Sequence, residues 1–329
     1  MSLRLALPIC LLSLSKAAVC AAAPSPSTPA PEGHRIPMHL VGKHPRVQVR
    51  IDGVDRPLSF VVDTAAGASV VDAALAERLG LLDATPRRMQ VQGAGGSTAA
   101  THVTALQALS SGDLRWQAQL LAMDLSKVAE GDAPPVEGIL GNDLMARFDL
   151  RFDLPAGHVL LAPPGSLPRT DCLDNALPQR AAGLQRFAFV PAQLRDGGDR
   201  VPVIGVVDTG AAQTVLNPPA ARALGVAEDD GRLRRREAGT RGIAEQVIET
   251  WLYTLPTLAI GDWQLPPTEV RISALPVFAV LGLADRPAAI LGIDALRQRR
   301  VDVLANATAV CLGPSDAALP AGGARDAVR

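Results

Sequence analysis

Two apolar runs along this chain end in the same unusual way. "FVVDTAAGAS" (60–69) and "GVVDTGAAQT" (205–214) each carry consecutive apolar residues into an Asp, then a Thr and small residues. Such a run predicts a strand buried on both faces, yet it closes on a carboxylate, a group costly to bury unpaired. Upstream of the first run, "RVQVRIDGVDRPLSF" alternates and turns at Asp52-Gly53, a hairpin signal. Upstream of the second, "RFAFVPAQLRDGGDRVPVI" does the same with a longer turn. Nine residues after each Asp stands a helix N-cap candidate, Asp72 or Asn217, the latter followed by two prolines that suit a first helical turn. Seventeen residues after each Asp stands a glycine, Gly80 or Gly225, that predicts the end of a short helix.

The correspondence continues downstream. Gly-rich stretches at 92–98 and 238–244 sit between Thr- and Val-containing segments of alternating polarity and predict hairpin tips. Then come "GILGNDLM" (138–145) and "AILGIDAL" (289–296), each followed by two closing strands. From Asp to the second glycine of the first and the glycine of the second is 78 residues (63 to 141) and 84 residues (208 to 292), so the halves differ by a loop-sized insertion. The chain therefore reads as a tandem repeat, mostly strands with a few short helices.

Around the repeat lie segments of other character. Residues 1–23 predict an export signal: Arg4, an apolar stretch Leu5–Leu14 too short to span a bilayer, and the small residues of "AAVCAAA". The expected location is the periplasm or the exterior; the Val before Cys20 fits a lipid-anchoring signal poorly. Residues 24–36 read as a disordered spacer, 37–162 as the first lobe, 163–182 as a Pro-rich linker, 183–312 as the second lobe and 313–329 as a frayed tail. No other run is long and apolar enough for a membrane span.

Composition narrows the picture. Apolar residues make up 48 % and aromatics only 3 %, so the core must be built from Val, Leu, Ile and Ala. A net charge of −1 argues against a nucleic-acid binder, which needs a basic surplus. The cluster Arg234, Arg235, Arg236 reads as a solvated loop facing Glu228, Asp229 and Asp230. Of four Cys, Cys10 and Cys20 lie in or near the signal. Cys172 and Cys311 remain, either as one disulfide or as two independent thiols. No Cys/His cluster has zinc spacing, so neither a metal nor another cofactor is expected.

What remains is the duplicated Asp. Two homologous halves facing across a pseudo-two-fold bring both carboxylates together. Two acids about 3 Å apart cannot both ionise and titrate as one unit. Between them a water is activated by the ionised acid while the protonated acid donates to a carbonyl oxygen, which is what amide hydrolysis without a covalent intermediate requires.

This set of landmarks resembles the aspartic proteases of the retropepsin and pepsin superfamily, over roughly residues 37 to 312, and is similar to bacterial retropepsin-like domains duplicated in one chain. The resemblance implies a mainly-β fold of two tandem retropepsin-like (acid protease) β-barrel lobes related by a pseudo-two-fold, with short helices. It implies Asp63 and Asp208 as the catalytic dyad, with Thr64 and Thr209 bracing the loops and Ala65, Ala66, Gly210 and Ala211 completing them. Gly93, Ala94, Gly95 and Gly96, and Gly239, Thr240, Arg241 and Gly242, become flap tips; Gly141 and Gly292 pack beside the loops. Asp143 and Asp294 read as caps of short helices. A polypeptide is the implied substrate and a monomer the implied state, with a dyad of two Asp208 from paired chains as the rival arrangement. Ala66 and Ala211 stand where a hydroxyl would bond the acid, which points to a less acidic optimum. One departure stands out. Ala65 occupies a position where the family has Gly, and if its φ is positive the methyl costs about 1 kcal/mol. The alternative function is accordingly a catalytically impaired peptide-binding protein of the same fold.

Overall fold

A computed structural model describes residues 32–85, 89–92, 98–126, 128, 132–177, 184, 186–240 and 247–318. The expected export signal, most of the spacer and most of the tail lie outside the described residues. Among those described, no helix is long and apolar enough to cross a membrane.

Among the described residues the fold is mainly β, in two sheets of fifteen and nine strands that divide largely between the two halves. Both halves build the Asp-bearing loop the same way. In the first, Leu58–Val62 runs antiparallel to His44–Ile51 after the turn at Asp52-Gly53, where Gly53 has φ +80°. The later strand Gly138–Leu140 then slots in beside it, parallel to Leu58–Val62 and antiparallel to Val70–Asp72. In the second half Val201–Val207, Ala288–Leu291 and Val215–Leu216 repeat this pairing. Each Asp thus leaves the end of an interior strand whose consecutive residues Phe60–Val62 or Gly205–Val207 are buried, so both faces are covered, which accounts for the unbroken apolar runs.

The short helices follow from local chemistry. The Asp72 side chain accepts from Leu75 N at 2.9 Å and caps Ala73–Arg78. The Asn217 side chain accepts from Ala220 N at 3.0 Å and caps Pro218–Ala223. Both helices run out into glycines with φ +65° (Gly80) and +75° (Gly225), the left-handed stop that a side chain resists.

Three segments differ from the sequence expectation. The strand His34–Val41 begins inside the stretch read as spacer, because its backbone pairs with His158–Ala162. The Pro-rich linker contains a strand, Cys172–Asp174, paired with Ala309–Gly313; Cys172 and Cys311 face each other across it and are joined as a disulfide. Arg234 and Arg235 form a short exposed strand, not a loop. They pair with Glu269 and with Glu249 (3.3 Å for the latter) instead of Glu228, Asp229 and Asp230.

The closing strands of the second half cross to the other lobe. Arg300–Val303 and Ala309–Gly313 do not join their own sheet. Arg300–Val303 pairs antiparallel with Asp149–Asp153 of the first half, so the two lobes share a sheet. Arg151 and Asp302 lie directly opposite in that register, 5 % and 1 % exposed, in a two-pronged ion pair at 2.9 and 2.8 Å. Removing Arg151 takes both short bonds from buried Asp302 and leaves it only Arg300 Nε at 3.5 Å, whereas removing both partners leaves neither charge. Arg151→Ala is therefore expected to cost up to about 3–5 kcal/mol, and Arg151→Met with Asp302→Leu less. Denaturant midpoints at constant slope measure both.

Candidate active site

Thr64 and Thr209 tie the two Asp-bearing loops together. Thr64 N donates to Thr209 Oγ1 and Thr209 N donates to Thr64 Oγ1, both at 3.1 Å. Each hydroxyl then donates to a carbonyl of the opposite half: Thr64 to Val207 O at 2.8 Å, Thr209 to Val62 O at 2.7 Å. Both threonines are buried, so each of these groups has exchanged water for a partner and none is left unpaired.

This link brings the loops of Asp63 and Asp208 side by side: the Asp63 carboxyl lies against Gly210, two residues after Asp208, and each acid acts on the titration of the other. Each is surrounded by protein yet keeps a part-exposed edge, the environment that perturbs an acid without sealing it from a reactant. The loops aim N–H groups at them. Ala65 N donates to Asp63 Oδ1 at 2.8 Å, and Gly210 N and Ala211 N both donate to Asp208 Oδ1 at 2.9 Å. Burial raises the pKa of Asp63 above the ordinary carboxylate value, opposed by the N–H groups of Ala65 and Ala66. Burial, and then the charge of Asp63, raise Asp208 well above it, opposed by the N–H groups of Ala211 and Gly210. The pair therefore holds a proton at a pH where isolated carboxyls would have lost theirs.

The glycine at 210 has a steric reason. A Cβ there would lie 2.3 Å from Asp63 Cγ, inside the carboxyl itself. Neither Ala65 nor Gly210 has positive φ, so the backbone strain considered for Ala65 does not arise.

Behind the loops stand the later glycines. Cβ atoms on Gly141 and Gly292 would meet the backbone of Ala68 at 2.6 Å and of Gln213 at 2.7 Å, a close approach that only glycine permits. The residues after them hold the loops directly: Asn142 N donates to Ala66 O and Ile293 N to Ala211 O, both at 2.8 Å. Asn142 Nδ2 also donates to Thr64 O at 2.6 Å.

Asp143 and Asp294 are not at the N-cap positions, which are Gly141 and Gly292, although Asp294 does accept from Ala295 N in the first turn at 2.9 Å. Both also bind hydroxyls of the Asp-bearing loops. Ser69 Oγ donates to Asp143 at 2.7 Å and accepts from Gly141 N at 3.1 Å. Thr214 Oγ1 donates to Asp294 at 2.8 Å and accepts from Gly292 N at 3.2 Å. Ser69 and Thr214 were missed in the sequence. The signal was there: each is a hydroxyl six residues after its Asp.

Gly93, Ala94, Gly95, Gly96, Arg241 and Gly242 lie outside the described residues. The strands leading to the first expected tip, Met89–Gln92 and Thr98–Val103, do pair as a hairpin, Gln92 opposite Thr98. At the second, Gly239 has φ +57° and Thr240 bridges to Ile248. A depression of about 470 Å³ is lined by Leu40 and Lys43 of the first half and Gln213, Thr268 and Glu269 of the second; Asp63 and Asp208 are not among its lining residues.

Two lobes that pair one Asp-Thr loop each, backed by a glycine strand, define a protein of the aspartic-protease class. A family model described as aspartyl protease matches the chain twice, over residues 47–144 and 190–295, and the chain belongs to this family as a duplicated retropepsin-like protein. No curated protein matches the chain.

Proposed function

We propose that this chain is an aspartic endopeptidase hydrolysing peptide bonds of extended polypeptides. The observation that carries the reading is the reciprocal Thr64–Thr209 bonding that holds the loops of Asp63 and Asp208 together, with the Asp63 carboxyl against Gly210 and each acid part-exposed. In the working state the pair holds one proton. The ionised carboxyl takes a proton from a bound water as its oxygen attacks the scissile carbonyl carbon. The protonated carboxyl donates to the carbonyl oxygen, giving a neutral tetrahedral diol. Return of a proton to the amide nitrogen then releases the amine and the new carboxyl group. Extended substrates suit hairpins that offer backbone pairing. The dyad forms within one chain, which favours a monomer over a pairing of two Asp208. Export to an oxidising compartment accords with the Cys172–Cys311 bond.

The test is cleavage of an unfolded protein by the mature chain over a range of pH, with and without a statine-type transition-state mimic. Inhibition by the mimic is expected. Because burial raises both acids, and no hydroxyl stands at Ala66 or Ala211, the profile is expected to centre above about pH 4. A centre below about pH 3 contradicts the reading, since it needs a strongly stabilised carboxylate.

One observation favours the second reading, a peptide-binding protein without turnover. The steric intolerance at Gly210 shows how little room a methyl has beside these carboxyls, and Ala65 carries one. Ala65→Gly separates the two. The protease reading expects product from the wild type, changed by less than about tenfold in the variant. Product from Ala65→Gly alone would establish the impaired protein.

A further inference from the structure

His44 opens the strand His44–Ile51 of the first half and is 6 % exposed. Its Nδ1 lies 3.1 Å from Gly210 O of the second half's Asp-bearing loop, and its Nε2 lies 3.1 Å from Val128 O. Backbone carbonyls only accept, so a ring nitrogen that bonds either of them does so as the donor.

The first of these contacts reaches the dyad through a single peptide. Gly210 C=O and Ala211 N–H are the two ends of one amide. His44 donates to the carbonyl end, and the N–H end donates to Asp208 Oδ1 at 2.9 Å. Donation at one end of an amide polarises it and strengthens donation at the other. The contact also pins the orientation of that peptide, and with it the carboxyl that the peptide holds.

Strand register identifies the counterpart in the other half. Arg46 pairs with Val61, two residues before Asp63, and Phe189 pairs with Val206, two residues before Asp208. His44 therefore corresponds to Phe187. Phe187 has no donor to offer; a Cβ on Gly67 of the first loop would lie 3.8 Å from its ring, an ordinary van der Waals contact. Only the loop of Asp208 is held from across the lobes by a side-chain donor at this position.

We infer that His44 is a positioning residue for the reaction, orienting Asp208 from the opposite lobe through the Gly210–Ala211 peptide and making the two halves of the dyad inequivalent. This inference rests on the protease reading above.

The test compares wild type, His44→Phe, which copies Phe187, and His44→Asn, whose amide places a donor near the position of Nδ1. Asp208→Asn runs beside them as the control for the reading itself. Steady-state kinetics on one peptide substrate and melting temperatures are measured for all. His44→Phe is expected to lower kcat about tenfold or more while KM stays within about twofold. His44→Asn should recover most of that kcat, including when its melting temperature is no higher than that of the Phe variant. Wild-type kcat in His44→Phe, or a loss of kcat that tracks melting temperature and is not restored by Asn, overturns the inference. If His44→Phe does not fold, wild-type against His44→Asn kinetics still decide: a kcat drop in Asn as deep as in Asp208→Asn removes the relay as the explanation. Should Asp208→Asn cleave as the wild type does, the protease reading fails and takes this inference with it. A wild type that needs Asp208 while ignoring His44 sinks the inference alone.

Discussion

Replacing Asp63 or Asp208 by Asn is expected to lower peptide cleavage by about a thousandfold or more, and at neutral pH Asp208→Asn is expected to melt at a higher temperature than the wild type. The activity loss follows from the role of the pair, since an amide can neither take a proton from water nor donate one as an acid. The gain in stability follows from burial. Asp208 has its folded pKa raised well above the ordinary 3.8, first by burial and then by the charge of Asp63. In the folded chain it therefore binds its proton more tightly than in the unfolded chain. Its contribution to stability is fully present below pH 3.8 and is lost as pH rises through the elevated folded value. Above that window the wild type carries a buried, repelled charge that Asn does not. The Asn oxygen still accepts from Gly210 N and Ala211 N, so the loop keeps its bonds. Melting curves from acid to neutral pH check the sign: the two proteins should converge in acid and separate as pH rises. Unchanged cleavage in either Asn variant would remove the dyad as the catalytic centre.

Gly210→Ala is expected to reduce kcat/KM by about a hundredfold or more, although the residue bears no reactive group. Its φ is not positive, so the backbone tolerates alanine. The obstacle is the Asp63 carboxyl, whose Cγ and Oδ2 would both lie 2.3 Å from the new methyl and Oδ1 2.8 Å. Real atoms do not approach so closely, and the side chain of Asp63 is the part most able to move. A displacement near 1 Å is enough to spoil alignment between acid, water and substrate. Gly292→Ala provides the contrast. Its methyl would meet the backbone of Gln213 and Ala211 at 2.7 and 2.8 Å, where neither neighbour can swing aside, so the cost should appear mainly as lost stability. Kinetics and melting temperature measured on both variants separate the two effects. Wild-type kcat/KM in Gly210→Ala would mean that Asp63 does not need its present position.

The outcome at position 65 refines what this family motif means here. A glycine is commonly explained by backbone freedom, and on that ground Ala65 reads as a strained departure. The φ values remove that ground for both loops. At Gly210 the constraint is the proximity of the Asp63 carboxyl, which is a contact between halves and not a property of the turn.

The same division runs through the whole chain. Caps, turns and helix stops were legible because their causes are local: Asp72 bonds an N–H three residues on, and Gly80 and Gly225 relieve a conformation of their own backbone. The duplicated motif was legible because repetition at equal spacing needs no structure to be seen. Contacts such as Ser69 with Asp143, Arg151 with Asp302 and His44 with Gly210 join residues 74, 151 and 166 positions apart. Nothing in the neighbourhood of either partner announces the other. Asp143 and Asp294 were read as caps because a short helix follows, and capping is the nearest local use of a carboxylate. The closing strands of the second half have a strand pattern that says nothing about which sheet receives them. By itself the amino-acid order determined the repeated units, their short-range hydrogen bonds and the residue types at the paired loops. Only folding in three dimensions decided that the halves exchange threonine hydroxyls and which of them lends its closing strands and which its imidazole, because those choices depend on distances through space that periodicity along the chain does not encode.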